Sequence, residues 1–504
     1  MNRLRYCFVL LILGLAIQPA RPVHSASSSW QSLAAGIDYR EFYLPGPNHV
    51  YVARMDRSSP QVTLDSSIAQ GRLSGGLETV RLMAERYDQA INYWGEEWGS
   101  RNQVIVAING FFYDPQTGIP ASGQIQSGWY AKHFDERQSG SGIAWTLDRQ
   151  IFIGGCVNHP ITRQSILFKR SNQQMPFDGI NIPRENNKLI IYTSQYDAST
   201  LTEDAGLEVL VEMSRPMLIM PSPAVITGTV RTIRDGQGST PIPFDHIVLS
   251  ASGRARINLL GQVAVGDEIG ISQEIKHYEP DCRTSSPLSW TKTYAGIGGS
   301  YVFLRDGVIQ PQAELGAVLR SPRTAIAYDN WYIYFVVVDG RDRLRSLGMS
   351  MVELAVFTRN YLGAAWGVAL DGGGSSTMVV KGEVMNHPNA ELDEDGVGVV
   401  SGSGQPLIER AVANGIMMVV VQPKEISGRY KPGQKVAVRR SVQAPVYLGP
   451  GSNFAVLTSL LPGSQGVILD HLSGLNGVLA KGAYWWKVAF GEWVGWVSED
   501  VLSP

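Results

Sequence analysis

The chain has 504 residues, 44% of them hydrophobic and 17% charged, so it can bury a full core and still present a soluble surface. Lys and Arg number 43 against 45 Asp and Glu. No net field therefore draws it to nucleic acid or to an anionic membrane, and any charged ligand must be held locally.

The N-terminus reads Met1-Asn2-Arg3-Leu4-Arg5, then an apolar run from Tyr6 to Ile17, then a small polar stretch around Ser25 to Ser29. This pattern predicts a signal peptide over residues 1–26, with Val23 and Ser25 before the cut, and a secreted, periplasmic or cell-envelope protein. An uncleaved anchor is the alternative, although the run is short for a bilayer and no later stretch approaches the ~20 apolar residues of a spanning helix. Cys7 leaves with the leader; Cys156 and Cys282 either pair in an oxidising compartment or stay as two buried thiols.

Residues 39–64 alternate apolar and polar, as in Tyr39, Glu41 and Tyr43 and again in Val50 and Val52, the period of half-buried strands. Leu77, Val80, Ala84, Tyr87 and Ile91 recur at helical spacing, with Gly95 and Gly99 closing the region. Val104 to Ile108 reads as a buried strand ending in Asn109-Gly110-Phe111-Phe112. From about 205 to 275, short apolar runs broken by Pro and Gly predict a β-rich insert. Trp331 to Val338 is a strand delivering Asp339-Gly340-Arg341. Ser350 and Glu353 form a capping box for a helix whose shared face is Met351, Leu354, Ala355, Tyr361 and Leu362, with Gly363 suited to end it. Trp366 to Leu370 then delivers Asp371 into Gly372-Gly373-Gly374-Ser375-Ser376-Thr377. The expected fold is α+β: a mixed-sheet domain over 27–421 with flanking helices, a linker at 422–432, and a small β-barrel at 433–504.

The turn after Asp371 joins a strand-end carboxylate to residues whose amides can converge on an anion, because no Cβ blocks close approach. An ordinary Gly-rich turn with a capping Asp is the bland reading of the same residues. There is no G-x-x-x-x-G-K-[ST], no dinucleotide fingerprint at Gly396-Val397-Gly398 and no G-x-S-x-G elbow. The scattered histidines give a metal site little support, and Leu392 to Gly396 reads as an acidic loop without the calcium pattern. Arg323, in Ser321-Pro322-Arg323-Thr324, offers a planar fork suited to a phosphate.

Seven blocks stand in order: Asn109-Gly110-Phe111-Phe112; Asn181-Ile182-Pro183-Arg184; Ser321 to Ala325; Asp339-Gly340-Arg341; Gly348-Met349-Ser350 with Glu353; Asp371 to Met378; and Glu409-Arg410-Ala411-Val412-Ala413-Asn414. Together, over roughly residues 50–421, they resemble the phosphodiester glycosidase family. The tail, from about 429 to 504, is similar to bacterial SH3 domains through Leu448-Gly449-Pro450, Leu461-Pro462-Gly463, Trp485-Trp486-Lys487-Val488 and Gly495-Trp496-Val497. The resemblance implies a hydrolase that cleaves a sugar from the phosphate on its anomeric carbon, and a tail able to hold a cell-wall polymer; no cofactor and no metal are expected.

In such a reaction the leaving group is a phosphate monoester, which needs little protonation, so the site must mainly bind phosphate and stabilise an oxocarbenium-like transition state. Asp371 is the leading carboxylate, with Asp339 and Glu409 as candidate partners. Arg323, with Arg341 or Arg410, and the Gly372, Gly373, Gly374, Ser375 and Ser376 amides are assigned to phosphate, Asn109 to the sugar, and Thr324, Gly110, Asn181 and Arg184 to substrate binding. An enzyme acting on an ordinary glycosidic or teichoic-type linkage, and a non-catalytic envelope-glycan binder, are the alternatives.

Overall fold

The computed structural model describes residues 29–134, 141–154, 157–158, 161–217, 220, 222–274, 276–277, 293–388, 396–400 and 406–504. The leader, both remaining cysteines and the acidic stretch Leu392 to Asp395 lie outside the described residues. Among those described, no helix is long and apolar enough to cross a membrane.

The architecture follows from alternation in strands that are apolar on both faces. In Tyr332–Val338, Phe335 and Val337 face one way with Tyr51, Ile105, Ile108 and Met418, while Val336 and Val338 face the other with Leu354 and Ala355. This strand is central to an eight-stranded antiparallel sheet ordered Gln31–Ala34, Ile37–Leu44, Asn48–Asp56, Tyr332–Val338, Arg323–Tyr328, Trp366–Ala369, Val302–Arg305 and Val308–Ile309. Its inner face packs on a six-stranded sheet built on Glu97–Asn109 and Asn414–Gln422. Each sheet has its outer face covered by a helix: Met351–Leu362 on the first, Val80–Tyr87 on the second. Burying both faces in this way gives a sandwich with a helix on either side.

The long helix forms as its sequence predicts. Ser350 accepts from the Glu353 amide, the Glu353 carboxylate accepts from the Ser350 amide, and Gly363 ends the helix in the left-handed region. Tyr361, expected on the buried face, is exposed. The first helix is shorter than expected. Thr79 caps it and it stops at Tyr87, because Ile91–Trp94 turns back through Gly95 to pair with Glu97–Asn109.

Two expectations are corrected. Among the described residues 47% are in strands and 11% in helices, so the protein is predominantly β and not α+β. The tail is also not a closed SH3-like barrel: its strands run as an open path from Val456–Leu460 to Leu502–Ser503, and these end strands do not pair with each other. The tail does not stand apart. Phe244 packs edge-on against Trp98 at 5.3 Å and against Trp496 of the tail at 5.9 Å, and its amide donates to Leu448 O over 2.9 Å.

The β-rich insert is larger than expected. Its eight-stranded sheet takes in Ser165–Phe168 and Leu189–Thr193 as well as the strands between 207 and 272, and it carries a helix, Gly253–Leu260.

Candidate active site

Antiparallel pairing brings several of the sequence motifs to one end of the sandwich. The strands ending in Asn109, Val338 and Ala369 and those beginning at Arg323, Met378 and Asn414 all have that terminus on the same side. The loops there are tied by main-chain hydrogen bonds: Asp371 N to Gly110 O at 3.0 Å, Gly110 N to Asn414 O at 2.9 Å, and Gly373 N to Pro322 O at 3.0 Å.

Asn109 is the central fastener. Its side-chain nitrogen donates to Asp371 O at 2.8 Å, and its oxygen accepts from Thr324 Oγ1 at 2.7 Å and Thr377 N at 3.1 Å. It is fully buried. Asn109 and Thr324 are thus tied to each other and to the loop backbone that presents Asp371. Gly110 is needed for close approach, since a Cβ there would collide with the Asn414 side chain.

Asp371 is the carboxylate this scaffold presents. Burial pushes its pKa up to about 6, while the Ser375 hydroxyl, the Arg410 charge and the Gly372 amide pull it the other way. Gly373, at φ +63°, lies under the Arg341 guanidinium, whose nitrogen would be 3.1 Å from a Cβ on that residue. Asp371 therefore stands with two arginines at the Gly-rich turn. The turn itself differs from the expected amide cradle. It is a single 3-10 turn, Gly373–Ser375, and the amides of Gly373, Ser375 and Ser376 donate to Pro322 O, Gly372 O and Gly373 O. Around it, Ser376 Oγ, Thr377 Oγ1 and both polar atoms of the Asn414 side chain are buried without a partner among the described residues.

Other expected site residues are placed elsewhere. Arg323 points to the opposite face of its sheet, where its guanidinium donates to Met349 O at 2.7 Å, Gly316 O at 2.8 Å and Leu319 O at 2.6 Å. Its Nε and Nη2 are thus engaged by backbone carbonyls. Glu409, next to Arg410 but directed the other way, accepts from Arg81 N at 3.0 Å in the first turn of the first helix, and burial raises its pKa. Asn181 and Arg184 follow Gly179–Ile180, the edge strand of the insert sheet. Asn181 donates to Ala131 O at 2.9 Å and Thr193 Oγ1 at 2.9 Å, and Arg184 donates to Ser250 Oγ at 2.9 Å.

Asp339 is at the right end of the sandwich but is fully engaged. It accepts from Tyr51 Oη at 3.0 Å, Asn386 Nδ2 at 3.2 Å, His387 N at 2.9 Å, and the His387 ring at 3.3 Å. Asn386, His387 and Asn414 are the residues sequence reasoning did not assign to the site. Asn414 was inside a recognised block. Asn386-His387-Pro388 carried the signal of a polar pair in a loop close to the Asp371 turn.

By ligand type, Glu212, Asp245 and His471 could hold a metal ion. Their atoms are already matched to protein groups: His471 Nε2 lies 2.8 Å from Asp245, its Nδ1 accepts from Ser473 N, and Glu212 pairs with Lys487 and Arg231. The group is an ion-pair cluster joining the tail to the insert.

Residues 223–419 match the family model for phosphodiester glycosidase, NAGPA. The matched region holds Asp371, Arg341, Arg410, Asp339 and His387, so the phosphodiester glycosidase-like stretch carries the carboxylate and both arginines described above. No curated protein matches the chain. Among solved structures, a hypothetical protein from Synechocystis has a TM-score of 0.48 at 18% identity, covering 78% of this chain and 63% of that one. This chain thus spans less than two thirds of that protein. A "putative exported protein" from Burkholderia pseudomallei has a TM-score of 0.45 at 18% identity, covering 74% of each chain. The catalytic domain of zebrafish N-acetylglucosamine-1-phosphodiester alpha-N-acetylglucosaminidase, auto-inhibited by its pro-peptide, has a TM-score of 0.34 at 13% identity, covering 76% of this chain and 81% of that one.

Proposed function

We propose that the protein is an exported glycosidase that hydrolyses a sugar-1-phosphodiester to free sugar and a phosphomonoester. The observation that carries this reading is Asp371, mostly buried, with its pKa pushed up to about 6 and facing Arg410 beside the Arg341-covered turn. A carboxylate held among cations suits a substrate with an anionic leaving group and a cationic transition state. The arginines bind the phosphate and follow the charge it gains as the C1–O bond breaks, and Asp371 faces the developing positive charge on the sugar. Export rests on the leader sequence, and the division into a catalytic part before 422 and a tail after 432 rests on the Pro- and Lys-rich junction. The test is incubation of the purified mature chain with a panel of sugar-1-phosphodiesters and matched ordinary glycosides. Sugar release from the phosphodiesters alone supports the reading, and release from the glycosides alone overturns it.

A further inference from the structure

One face of the eight-stranded sheet carries polar residues that the reaction above does not use. Tyr39, Glu41 and Tyr43 alternate along one strand, and His49 and Tyr51 along the next, so period-2 geometry sets them on a common face. They join into an unbroken hydrogen-bonded line. Glu41 Oε2 is 2.9 Å from His49 Nε2, His49 Nδ1 is 2.8 Å from Tyr51 Oη, Tyr51 donates to Asp339 Oδ2 at 3.0 Å, and that oxygen is 3.3 Å from His387 Nδ1. Tyr39 and Tyr43 donate to Glu41 from the flanks, at 3.0 and 3.1 Å. The line is buried in its middle and opens at its ends: the Asp339 side chain is 4% exposed, against 25% for Glu41 and 27% for His387.

The outer end lies beside the candidate active site. Asn386, adjacent to His387, donates to Asp339 Oδ1 at 3.2 Å and to Ser376 O at 2.9 Å, and accepts from Met378 N at 2.8 Å. One short segment is thus fastened both to the carboxylate that orients His387 and to the turn that presents Asp371. His387 Nδ1 is 3.3 Å from both Asp339 Oδ2 and Tyr51 Oη; with the Tyr51 hydroxyl donating to Asp339, the arrangement matches the neutral imidazole that carries its proton on Nδ1 and its lone pair on Nε2.

We infer that His387, oriented by Asp339, is the general base for the water that attacks the anomeric carbon. Water oxygen forms the new bond to C1 as the C1–O bond to the phosphate breaks, its electron pair leaving with the phosphomonoester; the water proton passes to His387 Nε2, and the imidazolium is stabilised by Asp339 across Nδ1–H. The Tyr51–His49–Glu41 line is a positioning device. It fixes the Asp339 carboxylate, whose four accepted hydrogen bonds also leave it unsuited to act as a nucleophile. This inference rests on the glycosidase reading, and the experiment separates the two.

His387→Ala and His387→Gln are made in the full chain and compared with the parent on a phosphodiester that the parent hydrolyses, with folding checked by thermal melting. The expected result is a kcat lower by about 10²–10⁴-fold with little change in KM, and partial recovery of kcat in His387→Ala on adding imidazole. Asp339→Asn should also lower kcat, but imidazole should not restore it, because the histidine is present and mis-oriented. Parent-like turnover in a folded His387→Ala, or a loss of turnover that imidazole does not relieve, overturns the assignment to His387 while leaving the glycosidase reading intact. A parent enzyme that releases no sugar from any phosphodiester overturns the glycosidase reading instead.

Discussion

The side-chain amide of Asn109 donates to the main-chain carbonyl of Asp371 over 2.8 Å, and this bond sets where the carboxylate stands. The same amide also receives Thr377 N and Thr324 Oγ1, so its removal leaves three buried polar groups without their partner. Asn109→Ala should therefore destabilise the fold by on the order of 2–3 kcal/mol, measured by urea unfolding. It should also lower kcat through a displaced Asp371. A stable variant with only a raised KM would instead support direct substrate contact by Asn109.

Arg323, gripped by backbone carbonyls, and Arg410, proposed to bind the phosphate, should respond differently to the same substitution. Arg323→Lys keeps the charge but loses the three-carbonyl grip on Gly316, Leu319 and Met349, so it should lower the melting temperature and leave KM within about twofold of the parent. Arg410→Lys should raise KM for a phosphodiester, because the charge that faces Asp371 would lose its planar fork. A large KM increase in Arg323→Lys alone would reverse the two roles.

What the sequence made legible was local. The capping box at Ser350 and Glu353, the Gly363 stop and the strand delivering Asp339 each depend on residues a few positions apart. The misread features depend on partners far along the chain. Ile91 continues a helical period, but its segment pairs with Glu97–Asn109. Arg323 has the chemistry of a phosphate ligand, but strand alternation turns it toward the helix side, and Thr324 takes the inner face. Tyr39, Glu41 and Tyr43 announced a strand, while their purpose depends on Asp339 and His387, which come much later in the chain.

The tail is bound to the rest of the chain by both charge and packing. Lys487 pairs with Glu212 at 3.2 Å, His471 with Asp245 at 2.8 Å, and Leu475, Val478, Trp485 and Trp496 share a hydrophobic cluster with Trp98 and Phe244. Removing residues 423–504 should expose that cluster, lower the melting temperature of the remaining chain and promote aggregation. Lys487→Met, which leaves Glu212 paired with Arg231, should have a smaller effect in the same direction. A truncated chain that melts at the parent temperature would show the tail to be a dispensable domain.

Asp371 should link stability and activity to pH with opposite signs. Its folded pKa of about 6 lies above the ordinary 3.8, so the folded state binds the proton more tightly, and its contribution to stability is lost as pH rises from about 4 through 6. Asp371→Asn should therefore melt at a higher temperature than the parent at pH 8, with the advantage vanishing near pH 4. Turnover that needs the ionised carboxylate should fall below about pH 6 in the parent. An equal melting difference at both pH values would contradict the shifted carboxyl.

The most direct measurement is free-sugar release from a sugar-1-phosphodiester by the parent and by Asp371→Asn, with phosphomonoester formation followed in parallel. The account predicts equal amounts of sugar and phosphomonoester from the parent, and a kcat in the folded variant lower by about 10²-fold or more with a much smaller change in KM. Turnover by Asp371→Asn equal to that of the parent would contradict the assignment of Asp371 as the carboxylate that acts on the sugar.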